Sequence, residues 1–511
     1  MHLPQANRRV PPGYDAKATC GASHSHPFRP YLLLGAVFIV ANGIAALLGY
    51  RMSVDSTQWQ FLDPVELRDH LSRSLLLLHT QPLLLNAVLG LIYKVSALFH
   101  VRPEVIAKFV FLGIGWAAVV LLFKLIREWT RSEPLGIIGA CLLMADPTFH
   151  FFLNWYFYEF PLLCLSLLLL WLGIRYFRSG SERGLFGLAV TLGAFTLLRH
   201  LFPPIWALFT FALLVLLGWL VHPRQARGLL RHFAAPLGVL LLLTGIWPLK
   251  NQLIFGRFFY TSLSGYNLAR NWVRIPDEIE ALIDDRGQSG AKAGIVPTVR
   301  FFAGSELTVL TSPKKSGGGV NVNHFLFLKT DKQMAKEGIS ARLHHLKRWL
   351  GSSAYDYVLW SQPPYMHPYL RVLLGPQNRI SGLYLRVYTS VVYFNLNGIA
   401  GKLGQFLSRR RVQLNLYGAL LFPASLALAF ASLRRLWRTD RARFAALVLL
   451  LWVVLFPMTV VCMTDGTEGC RMRAPSVAVV IVLMFWLIGD WLPQAPRSPQ
   501  DKPVLRGEMK R

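Results

Sequence analysis

The chain has 511 residues, of which 53% are hydrophobic and only 16% charged, with a formal net charge of +28. Soluble domains carry roughly a quarter charged residues, so this composition excludes an ordinary multidomain soluble protein. The basic excess does not indicate nucleic acid, because many of the Arg and Lys residues lie in short segments between apolar blocks, where they set membrane orientation.

The apolar material falls into blocks of roughly 16–22 residues, each about long enough to cross the hydrocarbon core as a helix. Residues 1–30 are basic, have no apolar core and read as a cytoplasmic tail rather than a cleavable signal. Spans are expected at 31–50, 105–123, 134–152, 160–177, 184–198, 204–220, 233–249, 413–433, 443–463 and 474–491. The expected fold is therefore all-α, a polytopic transmembrane bundle of about 10–12 spans with helical outer loops. Its parts would be a membrane core at 31–249 with a first outer loop at 51–81, and a large outer cap at 250–412. C-terminal spans at 413–491 and a tail at 492–511 complete it.

The basic clusters Lys124/Arg127/Arg131, Arg175/Arg178/Arg183, Arg224/Arg227/Arg231 and Arg434/Arg435/Arg438/Arg441/Arg443 share the cytoplasmic side from residue 105 onward. Residues 82–98 do not fit, since a full crossing there would place Arg127 and Arg131 outside. Either that stretch is re-entrant or interfacial, or a neighbouring span is misread. The stretch 380–400 is apolar enough to hide one more membrane segment. Five cysteines are too few for a disulfide framework. Cys462 and Cys470, near one surface, either pair or stay as thiols.

Polar chemistry collects on the outer side. The first loop carries Asp55, then Asp63-Pro64-Val65-Glu66, an amphipathic run, and His79-Thr80-Gln81-Pro82. A carboxylate there can take a proton from an attacking hydroxyl. Asp before Pro is equally a standard helix opening, so Asp63 is either a base or a cap. Glu159-Phe160-Pro161 follows Asn154-Trp155-Tyr156, and an ionisable residue at a membrane boundary is a functional candidate; the alternative is a Glu wetted beside an aromatic belt. Asp146-Pro147 reads as a helix-end turn. Lys250, Arg257 and Asn267 open the long loop, and Arg471 and Arg473 precede the last span. Arg199 and His200 occupy another outer turn. These cations suit phosphate contact, or they snorkel at the membrane edge. His344-His345 lacks the partners of a metal site. Lys314-Lys315-Ser316-Gly-Gly-Gly lacks the order of a phosphate loop and reads as a flexible turn.

The order of first helix, acidic outer loop, polar-Pro turn and second acid resembles the membrane glycosyltransferases of the GT-C superfamily. The likeness is to the bacterial branch near protein O-mannosyltransferases and aminoarabinose transferases. Leu83 departs from it, standing where a second Pro is common. The resemblance implies a GT-C-like fold and an inverting transferase acting at the outer face of a bacterial inner membrane. Asp63 and Glu159 would be catalytic. Asp55, His79, Gln81, Lys250, Arg257, Asn267, Arg471 and Arg473 would bind substrate or its phosphate. The donor would be a polyprenyl-phosphate sugar and the acceptor a lipid, glycan or protein, with membrane lipids around it. No cofactor is indicated; a divalent metal could be accommodated but is not indicated. The alternatives are a transporter or lipid flippase, or a ligase or polymerase of lipid-linked glycans.

Overall fold

The computed structural model describes residues 28–55, 57–223, 226–283, 299–302, 304–366, 379–410, 412–464 and 469–491. The expected tails at 1–30 and 492–511, apart from residues 28–30, lie outside these, as do Arg224, Glu468 and the side chain of Cys470. Among the described residues the fold is helical, with only isolated bridges such as Ser53 to Trp155. Seven helices are long and apolar enough to cross a membrane, and one bent pair would make an eighth. The chain is a polytopic, all-helical membrane protein.

The first helix, α1 (Arg29–Leu47), leads into the loop that carries α2 (Pro64–Asp69) and α3 (Leu71–Leu77). Next come α4 (Leu83–Phe99) and α5 (Pro103–Thr130), the latter opened by a proline at its first position. Then α6 (Glu133–Ala145) and α7 (Pro147–Leu153) meet at a 65° bend. The cause is local: Pro147 cannot donate back into the helix, and the Asp146 carboxylate instead accepts the Thr148 amide at 2.7 Å. The expected span 134–152 is thus broken rather than straight. Helices α8 (Glu159–Ser179) and α9 (Glu182–Leu198) are joined through Gly180, whose φ of 62° favours glycine. Helices α10 (Pro204–Val221) and α11 (Ala226–Phe255) complete this half.

The segment after α11 folds as a helical cap. Its elements are α12 (Ser264–Ala269), α13 (Asp277–Ile283), α14 (Thr308–Thr311), α15 (Phe325–His344) and α16 (Leu346–Trp360), followed by Arg379–Val392 and Gly401–Arg409. The Arg379–Val392 helix lies in the stretch that could have hidden a span; at 14 residues it reaches roughly 21 Å, too short to cross. A small separate core joins α12, α13 and α15 through Leu263, Tyr266, Ile279 and Phe327, with Trp59 of the first loop packed on it. The chain then re-enters the bundle through Phe422–Thr439, Arg441–Thr464 and Ala474–Trp491.

Helix α4 resolves the conflict at 82–98. Its first turn lies beside Tyr156, whose hydroxyl donates to the Leu85 carbonyl at 3.0 Å. Asn86 ties it to the first loop, accepting from the Leu62 amide and donating to the Gln60 carbonyl. Its far end turns within a few residues into α5, where Lys108 already donates to Asn154 at 2.7 Å. Both ends of α4 therefore lie at the same end of the bundle, so α4 packs along the first loop and does not cross. Arg127 and Arg131 then fall on the side of the other basic clusters.

Single cysteines placed in a cysteine-free chain at Asp69 and Arg102, both exposed, are expected to react with an impermeant maleimide from the same side. Labelling from opposite sides would mean that α4 crosses.

Candidate functional site

The end of the bundle that carries the first loop, the α9–α10 turn and the cap holds three groups of polar side chains. The first surrounds Asp63. As the cap of α2, its Oδ1 accepts the Val65 amide at 2.8 Å, so the helix-opening reading is met. The same carboxylate also receives the Ser316 hydroxyl at 2.9 Å and the Ser316 amide. It lines a cavity of about 350 Å³ together with Glu66, Thr308, Lys315 and Asn321. Glu66 is ion-paired with Arg73 at 2.9 Å and accepts the Thr308 hydroxyl at 2.8 Å.

The wall opposite Asp63 is the Lys314–Gly319 turn. It is built onto the first loop: a Cβ on Gly319 would lie 2.6 Å from the Thr57 carbonyl oxygen, so only glycine permits this approach. Lys315 is 4% exposed and donates to the Thr57 and Gln58 carbonyls. Burial pushes its ammonium down to about 8, against the pull of Asp55 and Asp63. Asp55 accepts from Thr57 and Gln58, both at 2.6 Å. Burial would raise its carboxyl, but these hydrogen bonds and Lys315 hold it below the usual range. Composition suggested a flexible turn, and its Lys-Ser pair carried no motif; only the folded register brings it to Asp63.

The second group is buried charge. Glu159 at the start of α8 is fully buried, with the Arg471 and Arg199 guanidiniums 3.1 and 3.4 Å from its Oε1. Arg199 lies over the Tyr158 ring at 3.9 Å, and Arg471 over Phe157 at 4.9 Å. The aromatic run after Asn154 therefore does not form a wet belt around Glu159. It packs inward, Trp155 stacking on Phe157 at 4.2 Å, and encloses the ions. Arg473, equally buried, donates to the Ser361 carbonyl at 2.8 Å and to the Tyr393 hydroxyl, and faces the Tyr417 ring.

The third group latches the first loop to the cap. The His79 ring bonds Ser262 Oγ at 2.6 Å through Nδ1 and the Asn323 carbonyl at 3.0 Å through Nε2. Asn323 also accepts the His79 amide and donates to the Leu77 carbonyl. Gln81 meets His200 at 3.0 Å, and His200 meets Asn267 at 3.4 Å, an arrangement satisfied when His200 carries its proton on Nδ1. The Gln81 amide nitrogen is buried without a hydrogen-bond partner among the described residues. Lys250 donates to the carbonyls of Leu76 and Leu78 at the end of α3, where a cation complements the helix terminus, and lies 3.8 Å over Trp247. Arg257, exposed, donates to the Leu328 carbonyl at 3.2 Å.

The structure thus joins Asp55 and Asp63 through Lys315, Glu159 with Arg471, and Gln81 with Asn267. Among the described residues it does not gather Lys250, Arg257, Arg471 and Arg473 into one phosphate cradle. Sequence reasoning set Lys315 and Ser316 aside as part of a flexible turn, passed over Asn323, and gave Arg199 little weight. The Cys462 thiol is free.

No protein-family profile matches the chain, and no curated protein sequence matches it significantly. Among solved structures, one match is ArnT from Cupriavidus metallidurans bound to undecaprenyl phosphate. It is 13% identical with a TM-score of 0.33, over 87% of this chain and 78% of that one. The apo form of that protein gives 14% identity and a TM-score of 0.33, over 86% and 77%. Similarity at this level assigns neither residues nor activity.

Burial pushes the imidazoles of His79 and His324 down to about 3 and about 4. Unfolding returns them to their ordinary 6.5, so between these values the unfolded chain binds more protons. Stability is therefore expected to fall as pH drops below 6.5 and to be unaffected by these groups above it. Melting temperatures in detergent should decline from about pH 7 to about pH 5, less steeply in the His79→Gln/His324→Gln variant. Equal slopes in the two proteins would contradict this.

Proposed function

We propose that the chain is an inverting membrane glycosyltransferase, moving a sugar from a polyprenyl-phosphate donor to an acceptor hydroxyl in the Asp63 cavity. The observation that carries this reading is the Ser316 hydroxyl, 2.9 Å from Asp63 Oδ1 in a cavity of about 350 Å³. An alcohol already occupies the reach that a general base needs. The acceptor hydroxyl would replace that of Ser316, attack the anomeric carbon from the face opposite the phosphate and pass its proton to Asp63. The bond from the anomeric carbon to the phosphate oxygen breaks, and polyprenyl phosphate leaves.

The resemblance of the first-loop motif to GT-C enzymes supports this class of donor. Exposed Leu242, Ile246, Leu249 and Leu253 form a stripe along α11 that ends near Lys250 and Arg257. A polyprenyl chain lying on that stripe would bring its phosphate to those two cations, where charge-assisted hydrogen bonds would steady the leaving group. Asp55 and Lys315 would set the charge around Asp63. Glu159 would serve the site from behind: enclosed between two guanidiniums, it suits fixing the bundle end rather than receiving an acceptor's proton. In this reading the active site faces the outside, opposite the basic clusters.

Label transfer from a polyprenyl-phosphate sugar should fall roughly a hundredfold or more in Asp63→Asn, the usual scale for a lost general base, with insertion unchanged. Full transfer by that variant would remove Asp63 from the chemistry. Donor crossing the bilayer without any transfer in wild type would favour a flippase.

A further inference from the structure

At the end of the bundle away from Asp63, the C-termini of α5, α8 and α10 and the first turn of the helix Arg441–Thr464 enclose a second cavity of about 510 Å³. Four guanidiniums line it, those of Arg127, Arg131, Arg178 and Arg443. Three separate basic clusters of the sequence thus converge on one cavity, which membrane orientation alone does not require.

Charge balance leaves these arginines with capacity for a ligand. Helix C-termini attract cations, each acting as about half a negative charge, and the N-terminus of the Arg441–Thr464 helix returns about half a positive one. Among the described residues, Glu128 and Asp440 supply the carboxylates on the cavity wall. Against these, four guanidiniums leave positive charge in excess. Arg178 is taken by Glu128 in an ion pair, and Arg443 lies 3.8 Å from Asp440. Arg127 lies over the Phe123 ring at 5.2 Å. Arg131 is exposed, just past the last residue of α5, with a φ of 57°. Neither has a carboxylate partner among the described residues.

We propose that this cavity binds the phosphate of an anionic lipid headgroup, with Arg127 and Arg131 as its principal contacts. Guanidinium donors match phosphate oxygens in pairs, and basic pockets between membrane helices suit such headgroups. A lipid is favoured over a soluble anion because half-exposed Trp219 near the end of α10 and Trp437 near that of Phe422–Thr439 mark this level as a membrane interface. The site is independent of the chemistry at Asp63.

The test measures retention of phosphatidylglycerol against phosphatidylcholine by the detergent-purified full chain, with and without inorganic pyrophosphate. Wild type should retain phosphatidylglycerol selectively, and Arg127→Gln/Arg131→Gln should lower retention about tenfold, the scale of one or two lost charge-assisted hydrogen bonds. Arg434→Gln/Arg438→Gln removes the same charge from exposed positions at the same end and should leave retention unchanged. Should the first variant fail to insert, Arg127→Lys/Arg131→Lys keeps the charge but loses the paired geometry, and must still weaken retention about threefold. Equal losses in the two Gln variants, or none in either, would overturn the site. Arginine-dependent pyrophosphate binding without lipid selectivity would overturn the lipid and leave a soluble phosphate as the ligand.

Discussion

The loop end of this bundle depends on a carboxylate that water does not reach. Glu159 is closed in by aromatic rings, with guanidiniums from two distant parts of the chain against it. A buried ion is tolerated only when paired, and removing one partner from such a cluster costs about 3–5 kcal/mol. The constraint fixes three things together: the start of α8, the α9–α10 turn that carries Arg199, and the segment before the last helix that carries Arg471. Phe61 packs on Phe157 of the same aromatic run, so the first loop is seated by the same core. Asp63 and its cavity inherit their position from that seating.

Charge is then distributed according to what surrounds it. Within the packed loop end, Arg199, Arg471 and Arg473 are met by Glu159, carbonyls and rings, and buried His79 ties the first loop to the cap. Where the first loop meets the cap, carboxylates and lysines line open space. At the far end, arginines exceed the carboxylates lining their cavity among the described residues. Each arrangement follows the rule that an ion needs a partner in proportion to its burial.

Much of the fold was legible in the sequence, because blocks of apolar residues and intervening arginines are set directly by the hydrocarbon thickness and by orientation. The helical character of the cap followed from its composition and punctuation. Crossing was harder to read. Hydropathy measures whether 82–98 can enter a membrane, whereas the contacts of Asn86 and Tyr156 at its start, and of Lys108 with Asn154 just beyond its end, place both ends at one end of the bundle. The break at Asp146-Pro147 was visible as a turn but not as a bend within a span. For the site, Asp63 stood out by its place before a proline and after the first helix. Ser316 and Lys315 did not, since their role arises from a contact between segments some 250 residues apart. Glu159 was legible as an unusual charge, but its two guanidinium partners come from elsewhere in the chain, so its burial was not.

The most direct test is the thermal unfolding of Glu159→Gln beside Asp63→Asn, each assayed for sugar transfer. If Glu159 holds the bundle end together, its variant loses several degrees or more of melting temperature, as expected for uncompensated buried guanidiniums. Asp63→Asn should melt near wild type and lose transfer. A Glu159→Gln protein that melts like wild type yet transfers no sugar would contradict the account and place Glu159 in the reaction.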